Sequence, residues 1–391
     1  MSQRSLMSVL PTDRDVRFGE NAVAKLPAVV AELDAKRVLL VCGRHAFEAS
    51  GAAGCLPELV KTAAVRRWSE FRANTDALDL IEGLRLVEEV QPDVVVGVGG
   101  GSAMDMAKLL CAYQGVTDEA KLHELIRAGG PVTDRSMGLV LAPTTSGSGS
   151  EATHFAVVYI EEDKFSIAGP AMLPDTMILD PALTMSATPY QKAASGIDAF
   201  AQALESLWSV GGDEASRGHA VAALAELVPA LPEFVQTGSI ESATRMAAGA
   251  HLAGRAIDVS KTTAAHAMSY GITKTYGLPH GHAVALTLQY FIEAHAAATE
   301  EMLQPGTSVQ RHTDAVAAVL SALDADSPAQ ARRRFVELAE ACGLSLDLVE
   351  HGITDRAKMA ELTARVNVER MGNNPVVFTA DSLTDLLSVD L

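Results

Sequence analysis

The stretch at 94–108, VVVGVGGGSAMDMAK, constrains the fold of this chain more than any other. A β-branched apolar run without polar alternation buries both of its faces, as strands inside parallel sheets do. The run ends in Gly99-Gly100-Gly101-Ser102 and passes directly into a helix-like segment. Glycines let a backbone approach a phosphate, and a helix N-terminus offers free N–H groups and the positive end of its dipole. The spacing is neither G-x-G-x-x-G nor a Walker loop, because Lys108 stands too far from the glycines. Taken alone, the segment is equally a tight strand-to-helix turn. A second loop, APTTSGSGSE at 142–151, follows an apolar run at 137–142 and is rich in hydroxyls and glycine. Two such loops after successive strands fit nucleotide binding at the carboxyl ends of a parallel sheet.

The surrounding sequence alternates in the same way. Short apolar runs at 37–42 and 63–69 read as strands, and 75–90 reads as a helix with Leu78, Ile81, Leu84 and Val87 on its apolar face. This alternation predicts a parallel sheet covered on both faces. Val16 to Phe18 reads as an edge strand with the capacity to pair between subunits. Beyond Asp180-Pro181 the chain becomes rich in Ala, Leu, Glu and Met, and 215–228 and 315–323 are helix-like. With 391 residues, two domains are expected: an α/β domain at 1–183 and a helical domain at 184–391.

Composition excludes several classes. Hydrophobic residues at 48% against 20% charged describe a globular chain, and no apolar run looks long enough to span a bilayer. The first thirty residues carry Arg4, Asp13, Arg14, Asp15, Arg17 and Glu20, unlike a signal peptide, so a cytoplasmic protein is expected. The four cysteines form no C-x-x-C pair. A formal charge of −18 argues against nucleic-acid binding and requires a local basic pocket for any anionic substrate.

In the second half, Asp198 and Gln202 stand four apart on one helix face within GIDAFAQALE, in an apolar setting. A carboxylate there needs a partner. His266 and His280 follow in HAMSYGITKTYGLPHGHA, and His282 competes with His280 on spacing alone. A carboxylate, an amide oxygen and two imidazoles suit a divalent first-row metal with an open position. Each piece has a plainer reading, as a solvated Asp or a hydrogen-bonded core His.

Together these segments resemble the iron-containing (group III) alcohol dehydrogenase family. GGGSAMDMAK at 99–108, PTTSGSGSE at 143–151, DPALT at 180–184, GIDAFAQALE at 196–205 and the His segment at 266–283 occur in the family's order. The resemblance implies a Rossmann-like α/β N-terminal domain plus an all-α C-terminal metal-binding domain, the dehydroquinate synthase-like fold. It implies metal ligation by Asp198, His266 and His280, with Gln202, which stands where the family usually has a His, as a fourth ligand through its amide oxygen. It implies cofactor contacts at Gly43, Arg44, His45, Gly100, Gly101, Ser102, Asp105, Thr144, Thr145, Lys164 and Leu183. Gly43 stands where NAD-preferring members carry an Asp, and Arg44 suits a 2′-phosphate, so NADPH is expected ahead of NADH. Fe(II) is the expected metal and Zn(II) the alternative.

Within the family, Gln202, SKTTAAHAMSY at 260–270 and PHGHAVALTL at 279–288 look like phosphonoacetaldehyde reductases of phosphonate natural-product pathways. That implies reduction of phosphonoacetaldehyde to 2-hydroxyethylphosphonate, with Arg255, Lys261 and His282 as substrate-binding candidates and Tyr270 or His282 as proton donor. A homodimer or larger homo-oligomer is implied. The rival readings are a general alcohol dehydrogenase on neutral substrates, a metal-free reductase of maleylacetate type, a zinc enzyme related to dehydroquinate synthase or glycerol dehydrogenase, and a nucleotide-binding pseudoenzyme.

Overall fold

A computed structural model describes residues 10–161, 163–366 and 368–391. The chain divides into two compact units, Met1–Ala187 and Thr188–Leu391.

The first unit is built on a six-stranded, all-parallel sheet in the order β1-β8-β5-β4-β2-β3. Its strands are β1 (Asp15–Phe18), β2 (Arg37–Cys42), β3 (Ala64–Trp68), β4 (Val94–Gly99), β5 (Gly138–Pro143) and β8 (Thr176–Leu179). β6 (Phe155–Ile160) and β7 (Asp163–Ala168) form a separate antiparallel hairpin. The α-helices are α1 (Leu26–Glu32), α2 (Ala46–Ala49), α3 (Leu56–Thr62), α4 (Ala77–Val90), α5 (Gly101–Ala112) and α6 (Glu119–Ala128).

Side chains alternate across a strand, and here the two faces feed two different apolar clusters. Leu39, Val41, Val95, Leu139 and Leu141 enter one cluster, with α4 and α5. Val38, Leu40, Val96, Val98 and Val140 enter the other, with α1. Double-sided burial explains why these strands lack polar alternation. On α4 the buried stripe is Ala77, Leu80, Ile81, Leu84 and Val87. Leu78, expected inside, is 49% exposed. It lies in the first turn after the Asp76 cap, one position off the 3.6-residue stripe.

The second unit is helical: α7 (Pro189–Trp208), α8 (Glu214–Gln236), α9 (Ile240–Ser260), α10 (Ala264–Tyr276), α11 (His280–Ala296), α12 (Val309–Ala322), α13 (Pro328–Ala341), α14 (Arg356–Thr363), α15 (Val368–Gly372) and α16 (Ala380–Leu387). α7 opens with a reciprocal capping box between Thr188 and Gln191 and with Pro189 in its first turn. α8 corrects the reading that no run is long enough to span a bilayer: by length and composition it qualifies. In the fold it packs against α7 and α9, and half of its most apolar window is buried.

Candidate metal centre and nucleotide loops

In the first unit, β4 delivers Gly99 to the N-terminus of α5, whose cap is Gly100. A Cβ on Gly99 would lie 2.6 Å from Ala103 Cβ, so only glycine lets the strand end this close to the helix. The second loop packs onto the first. Thr144 N donates to Gly99 O at 2.9 Å, Thr145 faces Gly100, and Ser148 faces Gly101. Ser102 Oγ accepts from Asn74 N at 3.1 Å. The half-buried Asp105 carboxylate accepts from Ser150 Oγ and, at 2.9 Å, from Val157 N, which ties α5 to the second loop and to β6. Burial pushes the Asp105 carboxyl up.

Lys108, set aside in the sequence, is fully buried. Its ammonium donates to Thr153 O at 2.7 Å, Thr153 Oγ1 at 3.0 Å and Phe155 O at 2.8 Å. Lys164 sits on β7 opposite Tyr159 of β6. Leu183 is buried with Val98, Val140 and Ile178 in the apolar core.

Gly43, Arg44 and His45 follow β2, with Gly43 beside Gly99. Arg44 and His45 are exposed. Two residues that sequence reasoning missed shape this corner. Arg67 of β3 donates to Cys42 Sγ at 3.1 Å and to Arg44 O at 3.3 Å, and it pairs with Glu48. Nothing in the spacing of Arg67 signals this, because β2–β3 pairing is what brings it there.

In the second unit, Asp198, His266 and His280 each offer one ligand atom, and these atoms lie within 4.8 Å of one another. Asp198 Oδ1 is 3.3 Å from His266 Nε2 and 3.9 Å from His280 Nε2. Gln202, one turn along α7, donates from its amide nitrogen to Asp198 Oδ2 at 3.1 Å.

Three helices meet at this point. α11 begins at His280, and Gly281 presses against α7. A Cβ there would collide with the Ala194 carbonyl and lie 2.6 Å from Asp198 Cβ. α10 carries His266, and its N-terminus is held by Glu205 of α7. Glu205 is fully buried and accepts from Thr263 N, Thr263 Oγ1 and Ala265 N at 3.2, 2.6 and 3.0 Å, and it bonds His266 Nδ1. Burial alone would raise the Glu205 carboxyl, but His266 and Thr263 hold it below its ordinary range. Burial alone would lower His266, but Glu205 and Asp198 outweigh it and hold the imidazole above its ordinary range.

This donor set fits a divalent cation. Ser269 Oγ gives its proton to His266 O at 2.8 Å, so it accepts from His280 Nδ1 at 3.3 Å. Glu205 likewise engages His266 Nδ1. Both rings therefore turn Nε2 toward the same carboxylate oxygen. His266 Nε2 is buried without a hydrogen bond. Three electron-pair donors aimed at one another are stable only around a proton or a metal ion. Tyr270 stacks parallel to the His280 ring, with centroids 5.9 Å apart.

His282, expected as proton donor and substrate contact, is not one of the converging three. It is buried, with Nδ1 bonded to Tyr190 Oη at 3.0 Å and Nε2 to Ser345 O at 2.8 Å. Burial pushes it below the ordinary range. Arg255 is buried on α9, and Lys261 ends that helix with its ammonium 3.3 Å from Asp258 O. Glu205 was inside a motif read from the sequence, but its partners lie about sixty residues away, so no local signal marked its role.

The comparisons agree with this architecture. Residues 13–181 match the family model for iron-containing alcohol dehydrogenase, and residues 192–391 match the Fe-containing alcohol dehydrogenase family, C-terminal. A phosphonoacetaldehyde reductase of Streptomyces viridochromogenes is 33% identical over 315 residues, 78% of this chain and 77% of that protein. Long-chain-alcohol dehydrogenase 1 of Geobacillus thermodenitrificans is 37% identical over 201 residues, 51% and 50% of the two chains. The fold is shared with the sulfoacetaldehyde reductase of Bifidobacterium kashiwanohense, solved in complex with NAD+, at a TM-score of 0.83 and 24% identity over 96% of each chain. The chain belongs to the iron-containing alcohol dehydrogenase family. It is thus an oxidoreductase of alcohols or aldehydes, with the Rossmann-like and helical halves that the motifs implied.

Proposed function

We propose that this enzyme reduces a small anionic aldehyde to its primary alcohol with NADPH, and that the substrate is phosphonoacetaldehyde, giving 2-hydroxyethylphosphonate. The observation that carries the chemistry is the convergence of His266 Nε2 and His280 Nε2 on Asp198 Oδ1. The substrate rests on the 33% identity to a phosphonoacetaldehyde reductase over most of both chains. When bound, the metal supplies Lewis-acid polarisation of a carbonyl oxygen, and the reduced nicotinamide supplies the hydride.

The chain's own residues do the rest. Asp198, His266 and His280 hold Fe(II), or Zn(II) in its place, and Glu205 keeps the His266 ring turned toward it. Gly100, Gly101 and Ser102 offer backbone N–H groups to the cofactor pyrophosphate, with Thr144 and Thr145 lining the nucleotide. Asp105 braces that pair of loops, and Lys164 and Leu183 complete the cofactor surroundings. Gly43 and the exposed Arg44 leave room and charge for a 2′-phosphate. Tyr270 Oη delivers the proton to the product oxygen. Arg255 and Lys261 supply positive charge for the phosphonate in a chain whose net charge is −18.

The test compares kcat/KM for phosphonoacetaldehyde with that for neutral aldehydes, followed by NADPH absorbance, with Fe(II), Zn(II) or a chelator added. A large preference for the phosphonate that chelation abolishes is expected. Faster turnover of neutral aldehydes would discard the phosphonate substrate, and chelator-resistant turnover would discard the metal.

A further inference from the structure

We infer that Gln202 is a positioning residue that fixes Asp198 in a one-oxygen binding mode, so that the protein's own ligands are Asp198, His266 and His280 alone. This rests on the metal reading above. The two oxygens of Asp198 do different things. Oδ1 faces both imidazoles, at 3.3 and 3.9 Å, and Oδ2 receives the Gln202 amide nitrogen at 3.1 Å.

The carboxylate decides which end of the amide it meets. Unless a cation lies between them, turning the amide over sets its oxygen against a carboxylate oxygen with no proton to bridge the two. Both residues are buried, at 7% and 4% exposure, so bulk water screens that contact little. Gln202 and Asp198 lie one turn apart on the rigid helix α7, which holds the pair in register. With Oδ2 accepting from Gln202, Asp198 is biased toward meeting a cation through Oδ1 alone. A site of three protein ligands also leaves a first-row metal more exchangeable positions than a site of four.

The test loads the full chain with Mn(II) and reads two quantities in wild type, Gln202→Leu and the near-isosteric Gln202→Met. Chelator competition gives the affinity, and water-proton relaxation gives the number of exchangeable waters on the ion. Circular dichroism confirms folding, and either folded variant suffices. The expected result is an affinity loss of about 10–100-fold, the usual cost of losing an orienting partner, with no rise in water count because Asp198 turns toward two-oxygen binding. A gain of one water would show that a ligand was lost, and an affinity within about twofold of wild type would show that Gln202 holds nothing; either overturns the inference. A wild-type chain that takes up no Mn(II) overturns the metal reading itself, a separate result.

Discussion

The two units offer a charged partner opposite kinds of candidate site. In the first unit the candidate site is mostly backbone: the turn at Gly99–Gly101, the cap of α5, and a second loop hydrogen-bonded onto it. Its residues are contiguous, and its key side chains are absences, since glycine is what lets the chain come close. In the second unit the site is entirely side chain. Three atoms from α7, α10 and α11 meet within 4.8 Å, and buried groups such as Glu205 and Ser269 fix their directions. A backbone site should therefore tolerate side-chain substitution and changes of pH, whereas a side-chain site should be sensitive to both.

The sharpest way to break this contrast is Glu205→Gln. Metal affinity should fall by about 10–100-fold as His266 loses its orienting carboxylate, while NADPH affinity is unchanged. Chelator competition and cofactor fluorescence measure the two separately. Equal losses at both sites would mean that the substitution disturbs the fold and not the ring.

The next effect is pH. His266 is held above its ordinary range, so below that raised pKa the ring is protonated and a metal must displace the proton. Metal affinity should fall by about tenfold as pH drops by one unit, from about 7 to about 6, and NADPH binding should change little over the same window. A flat metal profile would show that Nε2 is not a ligand atom.

The smallest effect is Ser102→Ala. Because the pyrophosphate is proposed to meet N–H groups there, NADPH binding should weaken by only about two- to fivefold, roughly the worth of one hydrogen bond. A loss of about a hundredfold would make the first site a side-chain site after all.

The same contrast explains what could be read in the sequence. The strand-loop-helix segments were legible because consecutive residues set their local fold, and the parallel sheet follows from apolar runs that lack alternation. The order of the motifs supplied the family. Spacing alone left His280 and His282 open. Two residues along a helix turn a side chain by about 200°, so only one of them can face Asp198; His280 Nε2 lies 3.9 Å from Asp198 Oδ1, while His282 is held by Tyr190 and Ser345. Glu205, Arg67 and Glu48 were beyond sequence reasoning because their partners arrive through helix packing and strand pairing. Leu78 shows the limit within one helix, where a stripe misread by a residue points a leucine at water.

Lys108 has a kinetic consequence. Its ammonium, sealed inside the first unit, grips the backbone just where the second glycine- and hydroxyl-rich loop ends, and Asp105 grips the same segment from one turn earlier. The loop is thus riveted to α5 from beneath, and it moves with that helix as one body. A cofactor arriving there meets a surface already shaped, with little chain entropy left to remove. Its association should run as a single concentration-dependent phase, without a slower folding-over of the loop behind it.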